Sequence, residues 1–275
     1  MRTAVIGHVE WIEFARVAAV PEPGAIVHAG EAWGEPGGGG AVSAVQLARL
    51  GGETTFFTAL GDDALGHRCA DALAALAPRL ELVVAWRPVA QRRAFVHVDD
   101  AGERTITVIG DRQGPRGADD LPWERLEDCD AVYFTAGDPD ALRRARAART
   151  LVATARALDT LAAAGLPLDA LVASANDAGE TYAAGQVAPE PGLVVRTAGS
   201  AGGSWERPDG TRGEWDATPL PGPVDDAYGC GDSFAAGLTH ALGAGEEPGA
   251  AVLLGARCGA ACLTGRGPYS AQLRA

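Results

Sequence analysis

Short apolar runs and stretches of helical period alternate along most of this chain. Residues 3–7, Thr-Ala-Val-Ile-Gly, form a continuous apolar run, the pattern of a strand covered on both faces. Residues 54–60, 131–135, 168–174 and 193–197 repeat it. Between these runs the apolar positions fall at helical spacing: 41–50, closed by Gly51 and Gly52; 64 to about 77; the Ala/Arg-rich stretch 140–163; and a last small-residue stretch, 248–263. This alternation predicts a mostly parallel central sheet with helices on both faces. No linker or internal repeat divides it, so residues 1–275 are expected to form one domain.

Two segments break the rhythm. Residues 10–17 alternate in part, stop at Pro21-Glu22-Pro23-Gly24, and are followed by an extended pattern at Ile26-Val27-His28-Ala29. Residues 93–98 and 104–109 flank Asp99-Asp100-Ala101-Gly102-Glu103, a hairpin signal. These pieces predict a small β-sheet lid outside the main sheet, drawn from roughly 10–35 and 88–112. Edge strands of the main sheet are the alternative, disfavoured because helical segments intervene.

All 23 basic residues are Arg. A chain without Lys has no Walker A phosphate loop and no lysine Schiff base, so a nucleotide must be held some other way. The net charge of −13 argues against a nucleic-acid partner. No apolar run approaches the ~18 residues of a membrane span, and no secretory signal is visible. The five cysteines, at 69, 129, 230, 258 and 262, lack metal-site spacing and predict reduced, mostly buried thiols in a cytoplasmic protein.

The chemistry concentrates at Asp226-Ala227-Tyr228-Gly229-Cys230-Gly231-Asp232-Ser233-Phe234. Gly229 and Gly231 bracket a tight turn, and Phe234, Leu238, Ala241 and Leu242 mark the buried stripe of a helix beginning there. Backbone amides at such a turn, with the helix dipole, form an anion site for a phosphate. Asp232 is a poor phosphate ligand but suits a general base that takes a proton from a hydroxyl attacking a phosphoryl group. Capping of the helix by Asp232 accounts for the same local pattern. A second glycine run, Gly37-Gly38-Gly39-Gly40, leads into the helix at 41 and would also let a ligand approach backbone amides. In the last helix, Gly255, Gly259, Ala260 and Ala261 leave room for an adenine ring or for a neighbouring helix. The Arg143, Arg144, Arg146, Arg149 cluster reads as a solvated helix face, and Asp62 or Asp63 as a helix cap.

The segment 226–234 resembles the C-terminal signature of the PfkB, or ribokinase-like, carbohydrate kinases, Asp-Thr-x-Gly-Ala-Gly-Asp-x-Phe, with Ala227 and Cys230 departing from it. Gly37-Gly38 and Ala48-Arg49-Leu50-Gly51 are similar to the family's N-terminal signature, and Gly61-x-Asp63-x-x-Gly66 to the motif after its second strand. The resemblance implies an α/β, ribokinase-like fold and an ATP-dependent kinase acting on a hydroxyl of a sugar or sugar-like molecule. Asp232 would be the base, and the amides of Gly229, Cys230 and Gly231 the anion hole. It places Gly37 and Gly38 in the sugar pocket with Asp232, and Thr197, Gly199, Gly202 and Gly229 at the nucleotide, with Gly259 near its adenine. Glu180, in Asp177-x-x-Glu180, would hold Mg²⁺ through water. The family's Asn is Val42 here, and its first-strand Asp is missing; Glu10 or Glu13 would replace that acid. These departures keep open a sugar- or nucleotide-sensing protein without turnover, and the family also contains nucleoside kinases. A third reading makes Cys230 a nucleophile, its thiol acidified by the helix end. Homodimerisation through the lid, a family habit, would draw on Trp11, Ile12 and Phe14, with packing of the lid on the core as the alternative use of these side chains.

Overall fold

Strand β1 (Arg2–Ile6) is buried from Thr3 onward, as its unbroken apolar run requires, in the computed structural model of residues 1–275. It pairs in parallel with β4 (Glu53–Gly61) on one side and β8 (Ala131–Phe134) on the other. Beyond β4 lies β5 (Leu80–Arg87); beyond β8 come β9 (Thr150–Thr154), β10 (Ala170–Ser174) and β11 (Val194–Thr197), all parallel. The antiparallel hairpin of β12 (Gly203–Glu206) and β13 (Arg212–Trp215) completes a sheet of order β13-β12-β11-β10-β9-β8-β1-β4-β5.

Successive strand residues serve opposite faces. Val5, Phe56 and Tyr133 join the core beneath α1 (Gly39–Arg49), α5 (Cys230–Gly243) and α6 (Pro248–Leu263). Ala4, Ile6, Phe57, Val132 and Phe134 join a second core with α3 (Pro139–Ala145) and α4 (Leu158–Ala164). On the first face, α5 and α6 approach closely: a Cβ on Gly237 would stand 2.7 Å from Cys258 Sγ and 2.9 Å from Gly255 Cα. Helix α2 (Ala64–Leu76) is capped by Asp63, whose carboxylate accepts from the amides of Leu65 and Gly66 at 3.1 and 2.8 Å. That cap is worth about 1 kcal/mol.

A separate four-stranded sheet has the order β3-β2-β6-β7, from β2 (Glu10–Arg16), β3 (Glu31–Gly37), β6 (Arg93–Val98) and β7 (Arg104–Ile109). Ile12, Phe14, Ala94, Val96 and Val98 are buried, while Phe95, Ile106, Val108 and Ile109 are exposed. Phe14 stacks on Trp33 with ring centroids 4.8 Å apart and meets Tyr228 edge-on at 5.5 Å. The β6–β7 turn is tied down as well: the Ala227 amide donates to Gly102 O at 3.2 Å, and Arg16 pairs with Asp225.

Four expectations are corrected. Ile26–Ala29 is exposed irregular chain, and the strand begins at Glu31 instead, because hydrogen bonding to β2 starts at the Arg16–Glu31 pair. Residues 140–163 are not one helix: β9 lies inside them as a further buried parallel strand between α3 and α4. Strand β5 matches no predicted element, since its half-buried edge position leaves no clear alternation. Trp11, Ile12 and Phe14 are at most 2% exposed and pack inside the chain, so they offer no surface to a second copy. The arginines at 143, 146 and 149 pair with Asp140, Asp169 and Asp130.

Candidate active site

Parallel strands present their carboxyl ends along one edge, and the residues that follow them gather there. His8 follows β1, Thr135 follows β8, Arg156 follows β9, the 176–180 loop follows β10, and Thr197 ends β11. Helix α5 begins on the same edge. Gly229 is left-handed, φ 82°, and a Cβ there would stand 2.8 Å from Pro268 Cβ and 3.0 Å from Val42 Cγ1, so conformation and space both require glycine. The amides of Cys230, Gly231 and Asp232 have no hydrogen-bond partner in the protein; the first satisfied one is Ser233, bonded to Gly229 O at 2.9 Å. Gly231 is exposed, and a Cβ there would touch nothing within 4 Å. Unpaired amides at a helix start, open on one side, form an anion cradle.

Asp232, in that first turn, is half-buried and has no ion pair. Its Oδ1 faces α1, where a Cβ on Gly39 would approach within 2.8 Å. The carboxyl is pushed up to about 7, chiefly by burial and then by the charge of Glu180, with Glu10 adding; Arg156 and Arg104 oppose the shift. An acid poised near neutrality is suited to exchange protons.

The other predicted residues divide. Glu10 is buried; it accepts from Arg92 Nε at 2.8 Å and from the Tyr228 hydroxyl at 3.3 Å, while that hydroxyl accepts from the Gly38 amide at 2.9 Å. Glu10 thus faces inward and braces the glycine turn, whereas Glu13 is exposed and bonded to Trp11. Gly37 fits against Ile12 and the Tyr228 hydroxyl, and Gly38, φ 89°, against His8. Thr197 Oγ1 donates to Ala173 O at 3.4 Å. Gly199 and Gly202 are left-handed; a Cβ on Gly199 would lie 3.5 Å from Asn176 Nδ2, which brings the two loops together, and one on Gly202 would strike Trp215 O. Gly259 packs on α5, 3.2 Å from Cys230 O by the same measure, so close helix contact uses its small size. The Cys230 thiol is held well above its ordinary pKa by its contact with Cys262 and by burial, which opposes a thiolate nucleophile.

Sequence reasoning missed the arginines. Arg156 Nε donates to Glu180 Oε1 at 2.7 Å and its Nη2 to Asp177 Oδ2 at 2.6 Å, so both acids of the 177–180 loop hold one guanidinium. The available signal is an arginine just past a buried strand in a chain with no Lys, hidden because the Ala/Arg-rich composition around β9 is that of a helix.

An open α/β sheet, a small second sheet and an amide cradle backed by an unpaired acid define a ribokinase-like kinase fold. The chain belongs to the pfkB family of carbohydrate kinases, whose model matches residues 2–163 and 168–274. Among solved structures it is similar to a putative ribokinase from Agrobacterium tumefaciens (TM-score 0.79, 21% identity, 98% of this chain and 94% of that one). A microbiome-derived acarbose kinase (0.80, 24%, 98% and 95%) and Arabidopsis thaliana ribokinase complexed with ribose and ATP (0.75, 18%, 98% and 95%) are also similar. The search of curated proteins found no significant match. No helix is long and apolar enough to cross a membrane.

Proposed function

We propose that this protein is an ATP-dependent kinase that phosphorylates a hydroxyl of a sugar or sugar-like small molecule. The observation that carries this reading is the unpaired Asp232 carboxyl, poised near neutrality one turn into the helix whose free amides face open space. Asp232 takes the proton of the acceptor hydroxyl, and the amides of Cys230 and Gly231 stabilise charge on the transferring group. Gly229 gives the turn its shape, and Gly37 and Gly38 bring backbone close to the acceptor. Thr197, Gly199 and Gly202, beside the 176–180 loop, are assigned to the nucleotide, with Gly259 behind the cradle.

The donor set fits magnesium bound through water and phosphate and not through a protein cage. No cluster of three metal-ligating side chains exists, and Glu180 engages Arg156 through Oε1 alone, leaving Oε2 free. When bound, ATP supplies the phosphoryl group and Mg²⁺ the charge that neutralises its oxygens. The small sheet covers the site as a lid and excludes water that would otherwise accept the phosphoryl group.

A panel of sugars and nucleosides with ATP and Mg²⁺, read by ADP production, tests the reading. Acceptor-dependent ADP release supports it. Tight sugar binding with no release across the panel supports instead a sensing protein on a kinase scaffold, the reading that Val42 and the engagement of Glu180 by Arg156 favour.

A further inference from the structure

Arginines surround the cleft, and two of them, Arg104 at the start of β7 and Arg112, have no ion-pair partner. Arg92 is committed to Glu10, and Arg156 to Asp177 and Glu180. Arg112 is exposed, forms no ion pair and donates no hydrogen bond within the protein. Its place is fixed by backbone contacts. The β6–β7 register pairs Arg93 with Ile109, which sets Gly110 beside Arg92; a Cβ on Gly110 would lie 3.8 Å from Arg92 Cα. Gln113 Nε2 donates to Ala90 O at 2.7 Å, and Gly114 lies against Gly137, just past β8. The segment 110–114 therefore bridges from the end of the small sheet to the carboxyl edge of the main one, and Arg112 stands at its centre.

Within range of its charge is His8, buried, with Nδ1 lacking any partner; Thr135, whose buried Oγ1 also lacks one, lies beside Gly7. Burial and the charges of Arg112, Arg92 and Arg156 keep the imidazole well below its ordinary pKa, hence neutral and able to hydrogen-bond without adding charge. Partial desolvation of its side chain, and then the charges of Arg92 and Arg156, lower the Arg112 pKa, with Glu10 opposing. Glu10, the buried acid that would repel an anion, is neutralised by Arg92.

We propose that the acceptor carries an anionic group, a carboxylate or a phosphate, in addition to the hydroxyl that is phosphorylated, and that Arg112 binds this group. The hydroxyl half of this statement rests on the kinase reading; the anionic half rests on the unpaired Arg112. A guanidinium recognises both oxyanions through paired N–H donors, and such charge-assisted contacts exceed ordinary hydrogen bonds in strength.

The test is calorimetric binding, without nucleotide, of matched sets: glucose, gluconate and glucose 6-phosphate; ribose, ribonate and ribose 5-phosphate. The acid or the phosphate should bind at least ~10-fold tighter than its neutral parent, and the better of the two identifies the group. Arg112→Gln should collapse that preference by ~10–100-fold with the thermal transition retained, and Arg112→Lys should restore part of it. Neutral sugars binding as tightly as their anionic partners, no binding by any member, or a preference unchanged in Arg112→Gln overturns the proposal. A loss confined to ATP affinity also overturns it, by assigning Arg112 to the nucleotide. ADP production in the same sets separates the two readings. Anion-selective binding without turnover keeps this inference and sinks the kinase; turnover of neutral sugars alone does the reverse.

Discussion

Replacing Asp232 by Asn removes the carboxylate at almost constant volume, and the structure predicts opposite effects on rate and stability. Loss of a general base costs ~10²–10⁴-fold in kcat, equivalent to roughly 3–5 kcal/mol of barrier. The folded carboxyl titrates at about 7 and the ordinary value is 3.8. Between those values the folded state holds a proton that the unfolded state has lost, so stability falls as pH rises through this window and the penalty is complete above pH 7. The shift sets an upper limit of roughly 4 kcal/mol on that penalty. Asp232→Asn therefore raises the Tm at pH 8, by about 2–4 °C for each kcal/mol recovered, and leaves it unchanged near pH 4. In the wild type, kcat/KM climbs about tenfold between pH 6 and pH 8 as the base ionises. Steady-state kinetics with calorimetric melting at the two pH values checks both halves. A variant with kcat within tenfold of wild type, or with a Tm at pH 8 equal to or below it, would falsify the assignment of an unpaired, desolvated base.

Three further variants probe the surroundings of that acid. Gly39→Ala places a methyl group 2.8 Å from Asp232 Oδ1 in a backbone conformation that alanine accepts; kcat should fall ~10²-fold with little change in ATP affinity, and normal turnover would refute the contact. Arg156→Gln removes a charge that holds the Asp232 pKa down, so the acid limb of the kcat/KM profile should move to higher pH, and a limb that stays put or moves lower contradicts the geometry. Cys230→Ala should keep activity within about threefold, and iodoacetamide should fail to inactivate the wild type at pH 8, because the thiol stays protonated; rapid inactivation that Cys230→Ala abolishes would restore a role for the thiol.

The main sheet, the small sheet and the turn at 229–232 were legible in the chain because each leaves a local mark: an unbroken apolar run, a hairpin signal, a glycine pair before a helical stripe. Strand β9 left none. Its four buried residues, Leu151 to Thr154, carry no alternation, and their Ala- and Arg-rich flanks continue the helical composition of α3 and α4. Strand β3 was masked by Gly34 and Pro36, which an edge strand tolerates because one side needs no ladder partner. The inward role of Glu10 depends on Arg92 and Tyr228, 82 and 218 positions away. Only the folded register brings such partners together, so no spacing rule could have chosen between Glu10 and Glu13.

The bond from the Ala227 amide to Gly102 O joins the tip of the β6–β7 hairpin to chain two residues ahead of Gly229. Any movement that lifts the hairpin tip must break that bond, so the small sheet and the amide turn are mechanically coupled. On the proposed kinase reading, a small sheet tethered to the phosphate cradle keeps bulk water from the transferring group.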